Sequence, residues 1–299
     1  MQLGFIGLGK MGGFMVERLR RENHDLNVFD LSDAAVKTAE GHGAKGQKTL
    51  KELVDSLTAP KAVWVMVPAG APTENTINEL AGYMQKGDII IDGGNSKFTD
   101  SIARYNRLKE KGIHFIDVGT SGGVWGLKNG YCMMIGGDKE TFTHLEPIFK
   151  TLAPPEGYGY MGASGSGHFV KMVHNGIEYG MMQAYAEGFE VMKAQGYDLD
   201  LQSISHLWNQ GSVVRSWLLE LAESALSKDA DLSGLKGFVN DSGEGRWTIE
   251  AGMAKDVPTP VITAALYARF YSRNPDSFTH KMLAALRNEF GGHAVQKTE

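Results

Sequence analysis

Gly7-Leu8-Gly9-Lys10-Met11-Gly12 follows an apolar run, Leu3–Leu8, and opens a segment with helical spacing, Met11–Arg21. A G-x-G-x-x-G in that position leaves a chain few choices. The first glycine permits the tight turn out of a strand, the second lets backbone approach a pyrophosphate, and the third lets the helix pack closely on the strand. The N–H groups at the start of the helix then face the phosphates. The motif therefore predicts the first βα unit of a dinucleotide-binding sheet.

The next segments extend that unit. Leu26–Asp30, Val63–Val67, Ile89–Asp92 and Phe115–Val118 are short β-branched or aromatic runs, and segments such as Ile102–Lys111 between them have helical spacing. Alternation of near-continuous apolar strands with helices predicts a parallel sheet covered on both faces. Tyr131–Ile135 reads as an added edge strand. Ala153-Pro154-Pro155-Glu156-Gly157 and the glycine-rich stretch 157–167 then punctuate the chain, and helical periodicity takes over beyond them. The expected fold is α/β: a Rossmann-like, doubly wound, mostly parallel sheet over residues 1–160 binding NAD, followed by an all-α domain over 161–299.

Composition narrows the function classes. The 299 residues are 42% hydrophobic, enough for a large core, and a net charge of −5 argues against a nucleic-acid or anionic-membrane binder. One cysteine, Cys132, excludes an intrachain disulfide, and its apolar neighbours predict a small buried hydrophobe. The N-terminus lacks a signal-peptide layout and no run of 18 apolar residues occurs, so a soluble, cytoplasmic protein is expected. No cluster of His, Cys and carboxylates suggests a metal.

Gly7, Leu8, Gly9, Lys10, Met11 and Gly12 are the expected phosphate-side cofactor residues. Asp30 ends the second run, where an acidic side chain grips the adenosine ribose 2′-OH. A 2′-phosphate there would meet this carboxylate at about 1 kcal/mol per unit pair in water and about 4 at a partly buried site. Leu31 and Ser32 follow, with no arginine to offset the charge, so NAD is expected over NADP. Val67-Pro68-Ala69 closes the next strand at the sheet edge where ligands bind, as a wall for the nicotinamide ribose or as a plain strand-ending turn.

Two glycine-rich loops end the following strands: Asp92-Gly93-Gly94-Asn95-Ser96 and Gly119-Thr120-Ser121-Gly122-Gly123. Successive glycines beside serine offer several N–H groups to a carboxylate. Further on, Ser166 to Ala194 contains no proline and reads as one long helix. Lys171, His174, Asn175 and Glu178 fall at i, i+3, i+4 and i+7, so an ammonium, an imidazole, an amide and a carboxylate share one face. By itself that face is either a solvated ion-pair surface or a catalytic one.

These motifs together resemble the 6-phosphogluconate dehydrogenases, a branch of the β-hydroxyacid dehydrogenases. The likeness runs from GFIGLGKMG through IIDGGNS, SGG and KMVHNGIEYG to RNEFGGHAV, nearly the whole chain. GGNS and KMVHNGIEYG are the parts most specific to this branch. The resemblance implies that Asn95 and Ser121, Gly122 and Gly123 hold the substrate beside the nicotinamide, Asn95 serving cofactor and substrate alike. It implies that Lys171 is the general base, that His174 and Asn175 orient the reacting hydroxyl, and that Glu178 is the general acid. Tyr179 and Arg269 would hold the substrate phosphate. The C-terminal domain would carry substrate and dimer contacts, and Arg287 and His293 on the tail would complete a neighbouring subunit's site, making a homodimer or homotetramer.

The chemistry suits the helix. Oxidising a secondary alcohol requires a neutral Lys171 to accept the hydroxyl proton while hydride leaves for NAD. The β-keto acid then loses CO₂, and Glu178 protonates the resulting enediol carbon. One stretch departs from the family: in Asp241-Ser242-Gly243-Glu244-Gly245-Arg246-Trp247, Ser242 and Glu244 stand where long-chain members have Lys and Thr phosphate ligands. Either Arg246 substitutes or the loop has moved. The alternatives are a dehydrogenase of a small unphosphorylated β-hydroxyacid and a non-catalytic dinucleotide-binding sensor. Trp64, Trp125, Trp208 and Trp217 are expected to be packing or interface residues, and Met181, Met182 and Met192 to lie in the core.

Overall fold

Every apolar run of the first half forms a strand buried on both faces, because helices cover the sheet from either side. The structure is a computed structural model describing residues 1–274 and 276–291. Chain order begins β1 (Gln2–Ile6), α1 (Lys10–Arg21), β2 (Asp25–Phe29), α2 (Asp33–Gly41), β3 (Lys45–Gly46) and α3 (Leu50–Asp55). It continues through β4 (Ala62–Val65), α4 (Ala71–Tyr83), β5 (Ile89–Asp92), α5 (Phe98–Glu110), β6 (His114–Ser121), α6 (Gly126–Asn129), β7 (Cys132–Gly137), α7 (Lys139–Leu152) and β8 (Tyr158–Gly162). Helices alone follow: α8 (Ser166–Ala194), α9 (Leu201–Asn209), α10 (Trp217–Leu226), α11 (Glu244–Met253), α12 (Pro260–Ser272) and α13 (Phe278–Gly291).

The eight strands form one sheet in the order β3-β2-β1-β4-β5-β6-β7-β8, parallel except for the β6–β7 pair. This is the expected Rossmann-like α/β domain with a helical C-terminal segment. The run expected at the sheet edge is placed differently. β7 is interior, antiparallel to β6 and parallel to β8, and β8 holds the edge. The loop carrying Ser121-Gly122-Gly123 is thus the connection that turns the chain back on itself.

Strand alternation sorts the core into two layers. Leu3, Phe5, Trp64, Ile91 and Val118 face α1 and α7, while Ile6, Val65, Ile90 and Phe115 face α3, α4 and α5. Trp64 is fully buried, stacked on Phe5 with ring centroids 5.9 Å apart and edge-on to Phe149 at 6.4 Å. Each such side chain contributes about 1.5–3 kcal/mol through its burial.

Two compact units divide the chain, Met1–His174 and Asn175–Glu299. In the second, Tyr179, Ala265 and Leu266 form a small core with Ile249 and Phe270, and Phe189 stacks on Trp208. Two packing expectations fail. Met181 and Met182 are 38% and 41% exposed on α8; Met181, two residues from buried Tyr179, turns to the far side of the helix, and Met182 stays exposed on the Tyr179 side. Cys132 is exposed as well: it begins β7, opposite Ser121 near the end of β6. Partial desolvation still pushes its thiol pKa up, which works against the thiolate. No helix among the described residues is long and apolar enough to cross a membrane.

Candidate active site

The glycine fingerprint divides its labour as the motif requires. Gly7 takes a φ of +91°, and a Cβ there would lie 2.2 Å from the Met66 carbonyl oxygen. A Cβ on Gly12 would lie 2.0 Å from the Gly7 carbonyl oxygen, so α1 sits directly on the turn. Around Gly9 nothing lies within 4 Å of an added Cβ: the middle glycine faces open space. Gly9 is also the N-cap of α1, leaving first-turn N–H groups for an anion.

Gly7, Gly9, Asp30, Val67 and Pro68 line one cleft of about 710 Å³. Leu8 and Lys10 line a smaller cavity of about 210 Å³ beside it, shared with Gly9. Met11 packs against the core under the loop, and Ala69 is exposed just past Pro68. The Asp30 carboxylate accepts hydrogen bonds from the Leu8 N–H at 2.6 Å and the Ser32 N–H at 2.7 Å. It therefore ties the fingerprint loop to the end of β2, a role its position in sequence did not announce. Lys48, Thr49, Asn75 and Thr76 line the same cleft and were missed. Lys48 and Thr49 follow β3, which at two residues is too short to read as a strand, and Asn75 and Thr76 lie in the early turns of α4.

The substrate loops leave the same sheet edge, since β1, β5 and β6 run parallel with their carboxyl ends together. The Asn95 loop is fastened from below. Asp92, fully buried, accepts from the Ser96 hydroxyl at 2.8 Å and from Arg104 at 2.9 Å. Arg104, only 2% exposed, also donates to Ser96 at 3.1 Å and to Glu74 at 2.8 Å. Gly93 is obligatory here, because a Cβ would lie 2.2 Å from the Trp64 indole nitrogen. In the other loop Gly122 and Gly123 take φ of +133° and +53°, the turn that redirects the chain after Ser121.

α8 begins and ends where its sequence predicted. Lys171, His174, Asn175 and Glu178 are each half-buried, whereas Met172 and Tyr179 are buried. The Lys171 ammonium donates to the Asn95 side-chain oxygen at 2.5 Å, joining the helix face to the loop. Within the second unit, the Tyr179 hydroxyl accepts from the Ser242 N–H at 3.0 Å, and the Arg269 guanidinium lies 3.6 Å from the centre of the Tyr179 ring. Arg269 also donates to the Asn240 carbonyl at 2.8 Å.

The divergent loop resolves in a way the sequence did not give. Glu244 is buried, 1% exposed, so its side chain is not presented to solvent. Asp241 holds Arg246 through two bonds, 2.7 and 3.1 Å, and Arg273 at 3.0 Å. The Arg246 guanidinium beside it, seconded by Arg273, holds the Asp241 carboxyl down at about 2 against the opposing effect of burial. Two arginines, 246 and 273, thus hold one carboxylate, while Arg269 bonds the carbonyl of Asn240, the residue before Asp241; Arg273 was missed. Arg287 is exposed on α13, and His293 lies outside the described residues.

Comparison with known proteins gives the lineage of this arrangement. The NAD-binding domain of 6-phosphogluconate dehydrogenase matches residues 2–165, and the C-terminal domain of 6-phosphogluconate dehydrogenase matches 167–282. YqeC of Bacillus subtilis, named only provisionally as a 6-phosphogluconate dehydrogenase, is 48% identical over 99% of this chain and 100% of its own. The NAD(+)-dependent, decarboxylating 6-phosphogluconate dehydrogenase of Haloferax volcanii is 42% identical over the full length of both. The solved Plasmodium falciparum 6-phosphogluconate dehydrogenase, known with NADP+ and with substrate, superposes with a TM-score of 0.84 at 30% identity, covering 100% of this chain and 67% of that longer one. Domain matches and full-length relatives agree, and the chain belongs to the 6-phosphogluconate dehydrogenase family of dinucleotide-binding oxidoreductases.

Proposed function

We propose that the protein oxidatively decarboxylates 6-phosphogluconate to ribulose 5-phosphate and CO₂, with NAD as the electron acceptor. The observation that carries the reading is the Lys171–Asn95 contact at 2.5 Å, which sets an ammonium from α8 against the loop at the carboxyl end of β5. The cleft beside β1 fits a dinucleotide: Gly9 leaves room for a pyrophosphate, and Asp30 stands at the adenosine end. NAD, when bound, accepts the hydride. Neutral Lys171 takes the proton of the substrate's C3 hydroxyl as that hydride leaves, and His174, Asn175 and Asn95 hold the hydroxyls in place. The N–H groups around Ser121, Gly122 and Gly123 hold the carboxylate. Charged Lys171 then gives its proton to the new ketone oxygen as the C1–C2 bond breaks, and that bond's electron pair forms the C2=C3 bond of the enediol as CO₂ departs. Glu178 gives a proton to C2 while Lys171 takes back the C3 hydroxyl proton, which leaves the ketone. By the rise of the helix Glu178 stands about 10.5 Å along the axis from Lys171, two turns on.

Asp30 supports NAD over NADP through its charge. Arg269 and Tyr179, with Arg246 in place of the long-chain loop ligands, are the proposed phosphate end. Residues 161–299 are proposed to supply the substrate and subunit contacts, with Arg287 and His293 completing the site of a second copy. One observation favours the alternative of an unphosphorylated β-hydroxyacid: Asp241 engages two of the three arginines. Absorbance at 340 nm with NAD and either 6-phosphogluconate or gluconate, scored for CO₂, decides between them. Lys171→Met is expected to abolish hydride transfer; near-normal turnover by that variant would sink the assignment.

A further inference from the structure

A helix leaves its first four N–H groups without intrahelical partners, and a side-chain oxygen on the N-cap residue ordinarily serves one or two of them. α8 has no such side chain, because the residue accepting its first helical hydrogen bond is Gly165, at a φ of +92°. The oxygen comes instead from the sheet. Asp117, in the middle of β6 and fully buried, accepts from the Gly165 N–H at 2.6 Å and the His168 N–H at 3.0 Å, with the Ser164 hydroxyl at 3.3 Å. One carboxylate therefore takes the positive pole of a 29-residue helix. A second tie lies beside it: buried His168 shares a hydrogen bond of 2.8 Å between Nδ1 and the buried Ser101 hydroxyl of α5.

The backbones touch at the same point. A Cβ on Gly167 would lie 2.5 Å from the Asp117 carbonyl oxygen and 2.6 Å from that of Met134. A Cβ on Gly136 would lie 2.7 Å from the Gly167 nitrogen. A Cβ on Gly119 would lie 2.3 Å from the Cβ of Lys171 itself. The first turns of α8 thus rest on bare backbone of β6 and β7, and Lys171 begins directly above Gly119.

From this we infer that Asp117 is a positioning residue for Lys171: by capping α8 from inside the sheet it fixes where the helix seats on β6 and β7, and so where the ammonium meets Asn95. The inference rests on the reading of Lys171 as the base. Asp117 is fully buried and bonds Ser164, Gly165 and His168, not the cleft residues Gly7, Gly9 and Asp30, so its loss is expected to act on turnover and leave cofactor affinity alone.

Three variants test it in the full-length protein with 6-phosphogluconate and NAD, each assayed well below its own Tm. Asp117→Asn keeps one acceptor oxygen and Asp117→Ala keeps none. The expected order of kcat is wild type, then Asn, then Ala, the Ala variant about 100-fold down as for an ångström-scale misplacement, with KM for NAD unchanged. Gly119→Ala keeps the Asp117 carboxylate but presses on the Lys171 Cβ and on the Gly167 carbonyl of the first turn, so it is expected to lose kcat in the same way even if the Asp117 variants do not fold. Amide exchange at Gly165 and His168, which needs no turnover, is expected to speed up in Asp117→Asn. Wild-type kcat in a folded Asp117→Ala or Gly119→Ala variant, or unchanged exchange in Asp117→Asn, overturns the inference. The assignment of the base fails separately, through an active Lys171→Met.

Discussion

The surroundings of Lys171 and those of Arg269 are built on opposite plans. Around Lys171 the contacts are backbone on backbone, with Gly119, Gly136 and Gly167 admitting no Cβ, and the carboxylates of Asp92 and Asp117 are fully buried. Around Arg269 the ionic groups are long side chains, and the Arg246 and Arg273 side chains are 46% and 24% exposed about one carboxylate. A glycine contact or a buried, saturated carboxylate allows one arrangement. Partly exposed arginine side chains re-seat at less cost than backbone contacts do, although the Asp241 carboxylate they share is only 5% exposed. The Lys171 end is fixed by the fold, and the Arg269 end is adjustable by substitution.

Four substitutions can break or sharpen that contrast. The largest effect is expected from Arg104→Leu, which leaves Asp92 buried and uncompensated below the Asn95 loop. Breaking a buried pair from one side costs about 3–5 kcal/mol, so thermal unfolding should shift down by many degrees. A Tm close to wild type would show that the loop is not fastened from below. Next comes Arg269→Met. Losing a charge-assisted contact worth about 1.5–3 kcal/mol should raise KM for 6-phosphogluconate about 10–100-fold, with kcat little changed and Tm nearly so. A fall in kcat with KM unchanged would place Arg269 outside phosphate recognition. Asp30→Asn removes the charge but keeps an acceptor for the Leu8 N–H. NADP kcat/KM should rise about tenfold, the equivalent of about 1.4 kcal/mol. No rise would mean that other cleft residues, Lys48 among them, set the choice of cofactor.

The same contrast explains what could be read from the sequence. Strands β1, β2, β4, β5 and β6 were legible because burial on both faces leaves continuous apolar runs, and α8 because 29 residues without proline keep a single period. β8 was not. Its Tyr158-Gly159-Tyr160-Met161-Gly162 lies at the sheet edge, half-exposed and paired on one side only, so glycine and tyrosine read as punctuation. The inward place of β7 depends on pairing with two strands and is not a local property. Among site residues, the fingerprint, the two glycine loops and the helix face carry their chemistry in short spacings. Asp117 was invisible because its partners lie 47 to 51 residues away. Arg273 was invisible because only the fold of α12 brings it to Asp241.

The smallest expected effect tests the adjustable end through pH. The Asp241 carboxyl sits at about 2 instead of 3.8, chiefly because Arg246 donates to it and Arg273 adds a second bond. A depressed carboxyl contributes stability that is fully present above its unfolded pKa and is lost as pH falls through the folded one. Wild type should therefore exceed Asp241→Asn in Tm by a few degrees at neutral pH. The gap should narrow once pH drops below about 4 and close only below pH 2, as wild-type Asp241 titrates through its folded pKa and comes to resemble the amide. Releasing Arg246 and Arg273 also frees two cations in the neighbourhood of Arg269. If the cluster takes up the substrate phosphate, the variant should bind 6-phosphogluconate no more weakly than wild type at pH 7 despite its lower Tm. A KM that rises in step with the loss of stability would instead mean that Asp241 fixes the arginines for binding, and the Arg269 end would be as rigidly determined as the Lys171 end.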